Sequence, residues 1–267
     1  MNVLMPIDEK SHEEIREWLE RALQGQETLP SLAPGESPHV GILRLEQQLN
    51  PATRRSLLDG SLHLVRRFAA DGNGDPAYVQ ELLFLVAAFR IPEAVQTLAE
   101  MARDFSSRPH MDLQIRRAVL AALVDMSPAQ PGAFWKSMLE QAPEEYGDLA
   151  LAGALATSPA LAVTMLPNMP DAERVGQSAA LYLDLAWDAL PPNMRSRFVQ
   201  KINSILPRCG RQFARPVKVW TDSKQDPFNF DATFTVLRIA LYEKLGPDSA
   251  PRTLSPMLAS CEPLAYA

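Results

Sequence analysis

Glycine is scarce in this chain, with only 12 among 267 residues against 23 prolines. Tight β-turns draw on glycine for positive φ, so the shortage speaks against a sheet-rich fold. Cysteine is scarcer still. Cys209 and Cys261 lie in different segments without CxxC spacing, and two thiols alone cannot build a zinc site. No apolar run is long enough to span a bilayer, and no basic N-terminal region leads into an apolar core. A cytoplasmic protein without a membrane span is therefore expected. Lysine is confined to six positions while arginine and alanine abound, a usage associated with GC-rich bacterial genomes.

Catalytic signatures are missing as well. The chain has no GxSxG, P-loop, GxGxxG or HExxH pattern. His12-Glu13 is its only His-Glu pair, and His39, His63 and His110 are scattered. No cofactor or metal is expected, and the chain reads as a non-enzymatic protein.

What is present is helical periodicity punctuated by proline. Hydrophobic residues make up 46% and charged residues 22%, the ordinary globular range, and the length allows one large domain or two small ones. From Asp75 to Met126 the spacing predicts three helices in a row. Asp75-Pro76 supplies an N-cap and a first-position proline, followed by Val79, Leu82, Leu83, Val86 and Phe89 at three- and four-residue spacing. Ile91-Pro92 starts the second helix, with Val95, Leu98, Met101, Ala102 and Phe105. A third follows Pro109, with Ile115, Val119, Ala122 and Leu123. Connections this short predict antiparallel hairpins.

Ile115-Arg116-Arg117-Ala118 followed by Ala121-Ala122-Leu123 resembles the first helix of a HEAT or armadillo repeat, and Ile91-Pro92-Glu93-Ala94-Val95 with Leu98 resembles the start of a second. The likeness covers roughly residues 75–167. It implies an all-α fold of antiparallel helix pairs stacked as a HEAT-like repeat, the alternative being an irregular multi-helix bundle.

Elsewhere, Ser11 and Glu14 form a capping-box pattern at the start of a helix carrying Ile15, Trp18, Leu19, Ala22 and Leu23. This helix reads either as docked on the body or as a detachable acidic element for a partner groove. Residues Gln24–Pro38 read as a linker, and Val40–Leu49 as a short helix. Asn50-Pro51 opens a longer helix that ends at Asp71-Gly72-Asn73-Gly74. Ser158-Pro159 begins another. Asp171 is expected to cap a helix reaching Leu190, and Asn193 the next one. Pro216-Val217-Lys218-Val219-Trp220 alternates and predicts a short extended segment. Ala232–Lys244 reads as a final helix and the tail from Asp248 as irregular. The organisation expected is an acidic helix and linker (1–38), a helical-repeat domain (39–246) and a tail (247–267).

The first fifty residues are acidic, whereas Arg195 to Lys224 contains eight cations and one acid, Asp222, with Phe198, Phe213 and Trp220 interleaved. Cations neutralise phosphate and aromatics stack on bases, so this segment is the one candidate for nucleic acid or another polyanion. A net charge of −6 counts against a dedicated nucleic-acid binder. The leading expectation is a scaffold or adaptor that binds another protein within a complex. Its candidate contact residues are Trp18, Leu19, Arg208, Arg211, Phe213, Arg215, Lys218 and Trp220.

Overall fold

The computed structural model describes residues 11–23, 49–89, 92–108, 110–126 and 130–225. Among them are eleven α-helices, three short 3-10 turns and no strand, so the fold is all-α. The expected linker at Gln24–Pro38, the helix at Val40–Leu49 apart from Leu49, the helix at Ala232–Lys244 and the tail from Asp248 lie outside the described residues. The chain divides into two compact units, Met1–Met126 and Ser127–Ala267.

The first unit begins with α1 (His12–Leu23). Ser11 Oγ accepts the Glu14 N–H at 3.3 Å and Glu14 Oε2 accepts the Ser11 N–H at 2.7 Å, the reciprocal capping the sequence predicted. Ile15 and Leu19 are fully buried against α2 (Pro51–Asp71), so α1 is docked. Leu19 fits because Gly60 has no side chain; a Cβ there would stand 2.8 Å from Leu19 Cδ1. Arg67 on α2 pairs with Glu20 at 3.4 Å and ties the two helices at their edge. Helix α2 starts where Asn50 Oδ1 accepts the Thr53 N–H at 2.9 Å, and ends at Gly72 with φ 74°.

Helices α3 (Pro76–Phe89), α4 (Pro92–Arg103) and α5 (Leu113–Met126) follow. Asp75 caps α3 through the Ala77 N–H and Asp112 caps α5 through the Ile115 N–H, both at 2.9 Å. One expectation needs correction here. Helix α3 packs mainly on α2 and α5 rather than forming a close hairpin with α4. It buries Leu82, Leu83, Leu85 and Val86, an apolar girth too wide for one neighbour. Arg108 Nη1 and His110 Nε2 both reach the Ala69 carbonyl, at 2.7 and 2.9 Å, so the loop after α4 satisfies the C-terminal end of α2.

The second unit contains α6 (Gly132–Gln141), α7 (Pro143–Thr157), α8 (Pro159–Met165), α9 (Glu173–Ala189), α10 (Pro192–Ile205) and α11 (Arg211–Gln225). Helix α7 is buried without a break from Leu149 to Ala156 and packs on α6, α8 and α9. Gly153 admits the Trp135 indole, which a Cβ would meet at 2.2 Å. Helix α9 in turn packs on α7 and α11, and α8 packs on α10.

A repeated plan is visible in this unit. Helix α8 runs into a 3-10 turn at Leu166–Asn168 before α9, and α10 runs into a 3-10 turn at Leu206–Arg208 before α11. Leu166-Pro167 and Leu206-Pro207 stand at the same point of the two helix–turn–helix segments, separated by about 40 residues.

Two cap assignments fail. Helix α9 starts at Glu173 without a side-chain cap, and α10 starts at Pro192, one residue before Asn193. Asp171 instead caps a helix far along the chain. Its Oδ1 accepts the Gln212 N–H at 2.7 Å and the Phe213 N–H at 3.1 Å, at the start of α11.

Candidate functional site

The basic stretch is built from α10, its 3-10 turn and α11. The predicted extended segment at Val217–Trp220 is helical, inside α11. The alternation around Pro216 is real in the sequence, but Phe213, Val217 and Trp220 also recur at four- and three-residue spacing and form one fully buried stripe. Pro216 lacks an N–H and lies within the helix, a cost offset by that burial and by the Asp171 cap.

The two faces of α11 divide the candidate residues. Phe213 and Trp220 are fully buried, which corrects their assignment as surface anchors; the same holds for Leu19 on α1. The Trp18 side chain lies outside the described set. Arg208, Arg211, Arg215 and Lys218 are exposed. The last three fall at four- and three-residue spacing on one side of α11, so the helix gathers them into a row. Lys218 is paired with Asp222 on the same stripe.

That row lines a shallow, open cleft of about 390 Å³ together with Asn203, Leu206, Pro207, Cys209 and Ala214. Cys209 donates weakly to the Ile205 carbonyl at 3.7 Å. Burial pushes its thiol above the ordinary range, and the Arg208 charge only partly offsets this. The cleft therefore combines neutral and cationic lining residues.

On the buried side of α11 lies a polar cluster that joins Trp220 to residues outside the candidate set. Asp184 on α9 is almost wholly buried, and its Oδ1 accepts Trp220 Nε1–H at 3.1 Å and Lys224 Nζ at 2.8 Å. Lys224 and Arg195 lie 5.8 and 5.5 Å from the Trp187 ring centre, one cation on each contact. Arg195 also donates to the carbonyls of Leu190 and Asp188. Two cations of the basic stretch thus serve the interior. The signal for this cluster was Asp184 itself, a lone acid inside the apolar run Leu181–Trp187.

What the geometry defines is an all-α protein whose last described hairpin carries a buried ion pair on one side and a cation-lined cleft on the other. Compared with family models, curated proteins and solved structures, the chain matches none. Among the described residues no cluster of three His, Cys, Asp or Glu side chains is placed to hold a metal ion. No described helix is long and apolar enough to cross a membrane.

Proposed function

We propose that this chain is a non-enzymatic adaptor of the cytoplasm, a HEAT-like helical array that binds another protein through the outer face of α10 and α11. The carrying observation is a set of exposed cations, Arg197, Lys201, Arg208, Arg211 and Arg215, for which no acidic partner is found among the described residues. From Ala189 to Thr221 the sequence contains no acid at all. A surface of one sign attracts and orients a partner of the other. The recurrence of the Leu-Pro turn, and packing between alternate helices, support the repeat reading. Only Leu113 stands out as an exposed large hydrophobic side chain among the described residues, which favours an interface led by charge.

A polyanion is the second reading, favoured by the same cations. Burial of Phe213 and Trp220 removes the base-stacking half of that case. Reversing Arg211, Arg215 and Lys218 to glutamate separates the two. The triple variant should keep its melting temperature and lose a protein that co-purifies with the full chain. If it keeps every protein partner and loses retention on heparin or DNA, the polyanion reading replaces the adaptor. If it loses nothing, the face is only solvated.

A further inference from the structure

The two Leu-Pro modules of the second unit differ in what covers them. In the first, the surface after the 3-10 turn is closed: Leu166 is fully buried, Met169 and Pro170 are buried, and Asp171 caps α11. Gly176 lets the α11 backbone approach, since a Cβ there would lie 2.4 Å from the Phe213 carbonyl oxygen. In the second module the matching surface is open. Pro207 is exposed, Cys209 is half-buried, and both line the cleft. Ala214 stands three residues after the first residue of α11, as Gly176 does in α9, and it too lines the cleft. The small residue that seats the next helix in one module thus has a counterpart with no described helix upon it.

The charges around the two positions also differ. In the closed module Gln177 and Ala180 follow Gly176, and Asp171 precedes it; in the open one Arg215 and Lys218 follow Ala214, and Arg211 precedes it. The open surface thus carries Arg215 and Lys218 where the closed one carries Gln177 and Ala180, which favours an occupant that brings acids. We infer that the cleft is a socket for an acidic amphipathic helix of a partner protein, stacked over Ala214 much as α11 stacks over Gly176, with its carboxylates against Arg211 and Arg215. A helix fits better than a nucleic-acid strand because Leu206, Pro207 and Ala214 give the cleft an apolar part and the aromatics of this stretch face inward. The inference rests on the adaptor reading and names the partner's chemistry.

Fluorescence anisotropy on the full-length chain tests it with three dye-labelled probes. One is a designed helical peptide of about 18 residues with a leucine/alanine stripe and a glutamate face. A second has the same composition in scrambled order, and a third is a single-stranded oligonucleotide of similar charge. The ordered peptide should bind at least about tenfold more tightly than the scrambled one. Arg211→Glu with Arg215→Glu should weaken it by a similar factor. Ala214→Trp, which fills the socket without changing charge, should weaken the ordered peptide and leave oligonucleotide binding unchanged; circular dichroism and melting check that each variant folds. Equal binding of ordered and scrambled peptides, or insensitivity to Ala214→Trp, overturns the socket while leaving a charge-led adaptor standing. Binding that emerges only when Leu237 and Leu241 are changed to serine assigns the socket to the chain's own C-terminal segment and overturns the partner. No binding by any variant overturns it outright. Failure of the adaptor reading is seen elsewhere, when the triple charge reversal leaves every co-purifying protein bound.

Discussion

The inner and outer faces of α11 carry the same charge type to opposite ends. Lys224 lies on the inner side, 9% exposed, with its ammonium on the buried Asp184 carboxylate. Arg211 and Arg215, a few residues away in sequence, stand in water. A count of positive residues between Arg195 and Lys224 merges these populations, yet only one of them faces solvent. Taking two charges out of water carries a desolvation cost that their attraction and hydrogen bonds must offset. Exposed cations bear no such cost, and they stabilise little. The inner pair joins α11 to α9, whereas Arg211 and Arg215 stand at the surface.

Breaking that contrast should produce graded effects. Trp220→Ala removes a fully buried indole and its hydrogen bond to Asp184, and should cost about 3–5 kcal/mol in denaturant unfolding. A cost near zero would place Trp220 on the wrong face. Asp184→Ala leaves the Lys224 ammonium without its carboxylate and should cost about 3 kcal/mol, toward the low end for a broken buried pair. Urea midpoints for the single variants, and for the double variant with Lys224→Met, would show whether the loss comes from the stranded charge. The double variant should recover part of it.

Smaller effects belong to the boundary and the outer face. Asp171→Ala removes the α11 cap and should cost about 0.5–2 kcal/mol, read by thermal melting. Arg215→Glu should change stability by no more than about 0.5 kcal/mol; a larger loss would mean that this side chain is structural after all. Cys209 gives the finest test. Its raised pKa leaves less thiolate at neutral pH than an unburied cysteine has, so alkylation at pH 7 should be slower than for free cysteine and should accelerate as pH rises. An alkylation rate above that of free cysteine would show that the neighbouring arginines outweigh burial.

Local signals in the sequence were read well where the physics is local. Ser11 with Glu14, Asn50, Asp75 and Ser158 sit within three residues of the N–H groups they cap, so their spacing announces them. The buried stripe residues Leu83, Val86, Leu98, Val119, Leu123 and Leu183 follow the same rule. Asp171 misleads because its partners are Gln212 and Phe213, which no short window can show. The stretch around Pro216 misleads differently, since two periods fit the same apolar residues and only the packing on α9 selects one. For the site, the cationic row was legible. Which way the aromatics faced was not, because it depends on that same choice of period.

The Asp171 carboxylate has one more consequence. It belongs to the turn between α8 and α9 but satisfies the first backbone groups of α11, so the start of α11 depends on that turn. Such a link couples the order of the α8–α9 turn to that of the α11 start. Fraying of the last hairpin then exposes two amides and strands the acceptor, which links the opening of α11 to the turn before α9. The chain also emerges from synthesis with Asp171 ahead of α11, so the template for that helix start is made before the helix it receives.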